Sequence, residues 1–371
     1  MGSIAIDTKR IRYAVVGVGN IAQVAVLPSF DHARENSELA ALISSDDVKL
    51  AELGKRYGIQ HRGSYDQFEN VLTASKAEAI YLAVPNTRHR ELTERAAAVG
   101  VHVLCEKPMA MTVEDCEAMI GACAKAKVQL MIAYRLHFEE ASLRALEIAR
   151  SGLIGEPRFF SAAFGQQVRE GDIRTKAELG GGALFDMGIY CLNAARHVFG
   201  AEPIEVFGFQ SGGDDRFRGV DATTTAVLRF PGDRFAQISA SQGSADVDTY
   251  RIVGDKGDLR GEPAFTYQGD LKHYLTVNGK GRETIFTARD QFAPELITFS
   301  RCILGRAEPE SSGEEGLADV RVLVAIAESA RRGQPVKLPP FQRSRRPNMA
   351  QEIRVPSVGK QATVHVPPPN R

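Results

Sequence analysis

"RYAVVGVGNIAQVAVLPSF", residues 12–30, is the stretch on which the fold turns. An apolar run, 12–16, reaches Gly17-Val18-Gly19 and passes into a helical pattern over 20–33. The string Gly17-Val18-Gly19-Asn20-Ile21-Ala22 has the form GxGxxA. It follows a strand and opens a helix within a strand–helix–strand unit of about thirty residues, the setting a dinucleotide fingerprint requires. Gly17 permits the tight turn, Gly19 lets the backbone approach a pyrophosphate, and Ala22 keeps helix and strand close. The helix start at Asn20 and Ile21 supplies free N–H groups and a partial positive charge. A ligand-free turn would carry the same two glycines, so the decision rests on what surrounds them.

Working outward, apolar runs at 39–43, 79–84, 101–105 and 128–133 alternate with helical patterns at 47–57, 66–74, 87–99 and 112–127. Continuous apolar strands between helices predict a parallel, doubly wound sheet, here a dinucleotide-binding α/β domain over residues 10–130. Beyond 131 the segments 157–164, 204–210, 222–230, 234–242 and 248–254 are rich in β-branched and aromatic residues. They predict a large, mostly antiparallel open sheet over 131–340, with helices at about 182–198, 290–304 and 314–331 on one face. The tail, 341–371, is rich in proline and charge and is expected to be extended or disordered, with Arg343, Arg345 and Arg346 a solvated run.

With 371 residues, two domains are the natural expectation. Forty-six basic residues balance forty-six acidic ones, so no global field favours nucleic acid or a membrane surface. The opening MGSIAIDTKR has no basic stretch and apolar core of an export signal, and no run reaches membrane-spanning length. Five scattered cysteines without metal-ligand spacing read as free thiols in a reducing cytoplasm.

The exit of the second strand bears on the coenzyme. NAD-selective sites place a carboxylate there for the ribose 2′-hydroxyl. This chain has Ser44 and Ser45, with Lys49 close behind, a set better suited to a 2′-phosphate. Asp46 and Asp47 argue for NAD unless they serve as the cap and first turn of the next helix. NADP is therefore expected. Pro85, Asn86 and His89 follow the fourth strand, and Glu106 and Lys107 the fifth. Asn86 is expected to touch the nicotinamide or its ribose; His89 sits in the same turn, though a structural role suits it better. Tyr134 and Arg135 follow the sixth strand and are expected to line the cleft, Arg135 with the option of a phosphate or carboxylate.

Three strings carry a resemblance: Pro85-Asn86-Thr87-Arg88-His89, Glu106-Lys107-Pro108-Met109, and the run Gly180–Tyr190 that reads GGGALFDMGIY. With the glycine turn they resemble, in order over about residues 10–335, the glucose–fructose oxidoreductase / inositol dehydrogenase (Gfo/Idh/MocA) family. The resemblance implies a Rossmann domain, a second domain whose open sheet serves oligomer contacts, and hydride transfer between NADP and a sugar or polyol. It matches Lys107 to the family's catalytic lysine, Asp186 to its carboxylate and Tyr190 to its acid/base. Tyrosine, where many relatives have histidine, points to the aldose and diol dehydrogenases. Homodimers or homotetramers are implied. The secreted glucose–fructose enzyme has an export signal and an N-terminal arm; this chain shows neither, which puts internal recycling of a trapped NADP in question.

The chemistry agrees. Oxidising an anomeric hydroxyl needs a base for the O–H proton while C1 loses hydride. A free tyrosine, with a pKa of about 10, needs help. A lysine ammonium nearby would favour the phenolate. Asp186 and Tyr190, four apart, share a helix face, so Asp186 is expected to accept bonds from sugar hydroxyls. The loop 165–179 is expected to close over the substrate. The alternatives are a redox-neutral oxidoreductase of the glucose–fructose type, an NAD-dependent glycoside-cleaving enzyme with tightly bound cofactor, and NADP sensing without turnover.

Overall fold

A computed structural model describes residues 9–366. Residues 1–8, with most of the expected signal-free start, and 367–371, the end of the expected tail, lie outside the described residues. Six parallel strands form the first sheet: β1 (Ile11–Val16), β2 (Ser37–Ile43), β3 (His61–Gly63), β4 (Ala79–Leu82), β5 (His102–Glu106) and β6 (Leu130–Ala133). Their order, β3-β2-β1-β4-β5-β6, is that of a Rossmann fold, with a switch point beside β1. A π-helical turn (Ala22–Val26) runs into α1 (Leu27–Ser29). Then come α2 (Asp47–Tyr57), α3 (Phe68–Ser75), α4 (His89–Ala98), α5 (Val113–Ala126) and α6 (Glu140–Arg150).

The second sheet has nine strands. They are β7 (Pro157–Gln167), β8 (Glu205–Ser211), β9 (Thr223–Phe230), β10 (Arg234–Ser241), β11 (Gly243–Gly254), β12 (Gly257–Gly261), β13 (Leu271–Val277), β14 (Lys280–Phe286) and β15 (Val336–Lys337). All neighbours are antiparallel except β7 and β10, which run parallel at its centre. Helix α7 (Ile189–Phe199), entered through a π-helical turn at Leu184–Gly188, packs on β7 and β10 and so faces the first domain across the cleft.

Two corrections to the sequence reading concern the last third of the chain. Helix α8 (Ala293–Gly305) does not cover the second sheet. Its Leu296, Ile297 and Phe299 pack with Tyr13, Val15 and Leu42 on the outer face of the first. Buried Ser300 fixes that seat: its hydroxyl lies 2.9 Å from the Tyr13 hydroxyl and 2.8 Å from that of Ser37. Helix α9 (Gly313–Arg332) touches both β8 and α5 and bridges the two sheets. The tail is extended, as expected, but ordered against the body. Arg343 is 2 % exposed and pairs with Glu315 at 2.9 Å, and Arg346 pairs with Glu202 at 2.9 Å. Only Arg345 stays half in solvent, beside Glu308. The carboxylates gathered around the start of α9 need guanidinium partners once buried, which removes Arg343 and Arg346 from the solvated run.

Candidate active site

Gly17 has φ +87°, and a Cβ there would lie 2.4 Å from the Ala83 carbonyl oxygen. A Cβ on Gly19 would meet nothing within 4 Å. The turn is thus closed against β4 on one side and open on the other. Helical residues begin at Asn20, whose N–H and that of Ile21 have no acceptor within the helix. This open cradle fits a dinucleotide pyrophosphate, and the fit rests on the shape of the turn itself.

At the β2 exit, Asp46 caps α2: its Oδ1 accepts from the Lys49 N–H at 3.0 Å, a bond that holds the carboxyl below its usual range. The Asp46 N–H donates to Ser44 Oγ at 3.2 Å, and Lys49 Nζ stands 3.6 Å from Asp46. Ser45 is exposed. The cap is the arrangement under which the aspartates do not decide for NAD.

The turns after β4 and β5 are braced together. His89 is fully buried, with Nε2 3.0 Å from the Val84 carbonyl and Nδ1 3.0 Å from that of Pro108. Burial pushes its pKa down. Both ring nitrogens face backbone carbonyls and its single N–H is donated to one of them, so His89 sits between the two loops and is not placed to contact a coenzyme. Asn86 reaches across the cleft: its Nδ2 donates to the Gly180 carbonyl at 2.9 Å, and Thr87 Oγ1 donates to that of Glu178 at 3.2 Å. The loop over 165–179, continued to Gly180, therefore docks on the β4 exit, which Pro85 shapes.

Lys107 emerges from β5 and donates through Nζ to the Asp186 carbonyl at 2.8 Å and to its Oδ1 at 3.2 Å. The same Nζ stands 4.6 Å from the centroid of the Tyr190 ring. Burial works against the ammonium, yet Tyr190, Asp186 and Glu106 together raise its pKa above the ordinary value. The other oxygen of Asp186 accepts from Arg174 Nε at 2.8 Å and Gln242 Nε2 at 2.9 Å. Burial alone would raise the carboxyl, but Arg174 and Lys107 hold it well below the carboxylate range. Asp186 and Tyr190 sit one turn apart on the entry to α7, as their spacing predicts. Asp186, however, is filled by protein donors rather than left open for sugar hydroxyls.

Tyr190 is held from several sides. Phe164 meets its ring edge-on at 5.5 Å, and the Arg135 guanidinium lies 4.9 Å from its centroid. Arg135 is itself buried and donates to Gln291 Oε1 and the Phe265 carbonyl, so it steadies the aromatic wall instead of offering a phosphate clamp. Tyr134 also departs from expectation. Its hydroxyl donates to Asp319 at 2.7 Å, drawn into a buried ion cluster, while its ring lines a cavity of about 50 Å³ that runs behind Lys107 and Tyr190. Glu106 accepts from the Tyr81 hydroxyl at 2.8 Å and from the Lys107 N–H at 3.2 Å. Glu295 lies 3.2 Å from the same hydroxyl. That hydroxyl has one proton for two carboxyls, and burial raises both of them, Glu295 well above the carboxylate range. Gln242 and Glu295 went unnoticed in the sequence. A glutamine between two strands and a glutamate in a helix carry no signature.

A Rossmann glycine turn with a lysine at the β5 exit, and a tyrosine and a half-buried aspartate brought to that lysine from the second domain, define a nicotinamide-dependent oxidoreductase. Residues 11–134 match the oxidoreductase family with an NAD-binding Rossmann fold, and residues 142–260 match the GFO/IDH/MocA C-terminal domain. The chain belongs to the GFO/IDH/MocA family of enzymes. It is 34% identical over 337 residues, 88% of this chain and 93% of the relative, to a D-xylose 1-dehydrogenase [NADP(+)] from Haloarcula marismortui. Aldose-aldose oxidoreductase from Caulobacter crescentus, solved with glycerol, superposes with a TM-score of 0.85 at 39% identity, covering 89% of this chain and all of that one. A 3-ketoreductase from Actinomadura kijaniata, solved with NADP and TDP-benzene, gives 0.80 at 25% identity over 86% of this chain and 98% of that one.

Proposed function

We propose that this enzyme moves hydride between NADP and C1, or a ring carbinol, of a cyclic sugar or polyol such as xylose or glucose. The observation that carries this reading is the placing of Lys107 Nζ between Asp186 and the ring of Tyr190. Gly17, Gly19, Asn20 and Ile21 would hold the pyrophosphate, with Ser44, Ser45 and Lys49 at the adenosine ribose. When bound, the nicotinamide accepts or gives the hydride. The protein handles the proton. The Tyr190 phenolate takes it from the sugar O–H during oxidation and becomes the phenol, the phenol returns it during reduction, and the Lys107 ammonium stabilises the phenolate form. Asp186 fixes Lys107 in place and balances its charge. NADP is supported by the capping role of Asp46 and by the xylose dehydrogenases this chain resembles.

A second reading is favoured by the aldose-aldose oxidoreductase likeness: two aldoses exchange hydride through a coenzyme that stays bound. One assay separates the two. Purified protein is given NADP or NAD and a panel of aldoses, and reduced coenzyme is followed by absorbance. Sustained NADPH formation with xylose or glucose supports the dehydrogenase. Aldonate and alditol in equal amounts without net NADPH supports the exchange, and no turnover of either kind would sink both. We further propose a homodimer or homotetramer built on the open sheet face, where Phe159, Phe209, Val227 and Phe235 are exposed on one side. Five free cysteines support a reducing, cytoplasmic location.

A further inference from the structure

The tail does more than cover the ion cluster at α9. Its described end, 362–366, reaches both walls of the groove in which a Rossmann domain holds the adenosine half of a dinucleotide. On one wall is Gln23, fully buried one turn past the glycine motif. Its Nε2 donates to the Val18 carbonyl inside that motif at 2.9 Å and to the Val364 carbonyl at 3.1 Å; its Oε1 accepts from the Val364 N–H at 2.7 Å. The Val364 side chain is buried in the same cluster as Val18 and Val26. One glutamine therefore ties the tail to the pyrophosphate turn. On the other side the tail runs along α2: Arg56 in its last turn donates to the Ala362 carbonyl at 2.6 Å, and at its start, beside the β2 exit, His365 Nδ1 stands 3.5 Å from Asp46 Oδ2. His365 has φ +49°, a left-handed conformation that a non-glycine residue holds when its surroundings fix it.

The charges at the β2 exit have a pattern. Asp46, by itself, would repel a 2′-phosphate. Lys49 at 3.6 Å and His365 at 3.5 Å flank it, so the one carboxylate faces two groups that can be cationic. The imidazole is 59% exposed and free to turn toward a ligand in the groove.

We propose that residues 362–366 are a strap over the adenosine end of the coenzyme site, which slows coenzyme release, and that His365 is a specificity-determining contact for the 2′-phosphate. The proposal rests on the NADP reading above. It gives the second, hydride-exchanging reading a physical basis, since a coenzyme held by a strap would remain through successive half-reactions.

The test is coenzyme binding, not turnover. NADPH and NADH affinity and release are measured by nucleotide fluorescence, in titration and stopped flow, on the full chain, a chain ending at Gly359, and full-length Val364→Ala and His365→Ala. The shortened chain is expected to release NADPH about tenfold faster, and Val364→Ala to shift release the same way by a smaller factor. His365→Ala is expected to weaken NADPH about three- to tenfold with NADH unchanged, and His365→Lys to restore the preference. Circular dichroism checks that each variant is folded, and the two valine and histidine variants carry the test if the shortened chain is not. Unchanged release from the shortened chain, or from Val364→Ala in its place, would overturn the strap. Equal loss for both coenzymes in His365→Ala would overturn the phosphate contact. Failure of the full chain to bind either nucleotide would instead overturn the coenzyme reading on which both depend.

Discussion

Helix α7 carries a charge cluster at each end, and the two are built to opposite rules. At its entry, Asp186 is shared among Lys107, Arg174 and Gln242, and the cluster opens on the cleft beside Tyr190. At its far end, Arg196 is wholly buried and pairs with Glu315, Asp319 and Glu202, while His197 Nε2 sits 3.0 Å from Glu315. Arg343 and Arg346 from the tail complete that second cluster. His137, His197 and Glu315 bring ligand atoms within 4.8 Å of one another, yet Glu315 already serves two guanidiniums. Each charge at the far end is matched and sealed. At the entry, Lys107 and Arg174 share one carboxylate, and Lys107 still faces a phenol. The difference separates residues kept for stability from residues kept for chemistry.

The largest effect should come from the open cluster. Lys107→Met should lower kcat by roughly 10²- to 10⁴-fold, the usual contribution of assisted proton transfer. The melting temperature should move little, because Asp186 keeps Arg174 and Gln242 as partners. A large loss of stability in calorimetry would place Lys107 in the structural class and break the comparison. Arg196→Leu should do the reverse. Stranding Glu315 and Asp319 should destabilise the fold by about 3–5 kcal/mol in urea, while protein that remains folded keeps its kcat. Tyr190→Phe keeps the ring contacts with Phe164 and Arg135 and loses the proton carrier. It should fold normally and lose roughly 10²-fold or more in kcat.

A fourth, smaller effect sharpens the contrast with a buried group in neither cluster. His273 bonds the Tyr250 hydroxyl through Nε2 at 2.8 Å and leaves Nδ1 without a partner. Burial pushes its pKa down to about 4. An unfolded histidine titrates near about 6.5, so between these values the unfolded state holds more protons and stability falls as the pH drops. This group alone should supply a slope of up to about 1.4 kcal/mol per pH unit in that window. His273→Gln, which keeps a hydrogen-bonding group there, should flatten the slope below pH 6.5. Identical slopes in the two proteins would show that His273 is not buried neutral.

Legibility followed the range of the interactions. The Rossmann order, the glycine turn and the pairing of Asp186 with Tyr190 are local patterns, and the sequence carries them openly. The strand His61–Gly63 is too short and polar to show periodicity, and β14 is exposed along most of its length, so alternation there is faint. Helix α8 was legible as a helix but not as a lid on the first sheet, because its partners lie more than 250 residues upstream, as Asn36 and Ile297 do at a separation of 261. Shorter separations hide the others: Glu295 meets Tyr81 across 214 residues, Gln242 meets Asp186 across 56 and Arg343 meets Glu315 across 28. Tyr134 and Arg135 sit where the cleft should be, yet a hydrogen bond to Asp319 and a carbonyl of Phe265 decide where their polar groups go. No string encodes that choice.

The seat of α8 also sets an order of events during synthesis. The six strands of the first sheet are complete at Ala133, and Phe30, Leu50 and Leu53 already pack on the face that holds Tyr13 and Val15, but the part of that layer made by α8 begins only at Ala293. At the ribosome's pace of about 5–20 residues per second, the sheet waits roughly ten to thirty seconds with that part of the face open. The first domain becomes finished only when most of the second has been made.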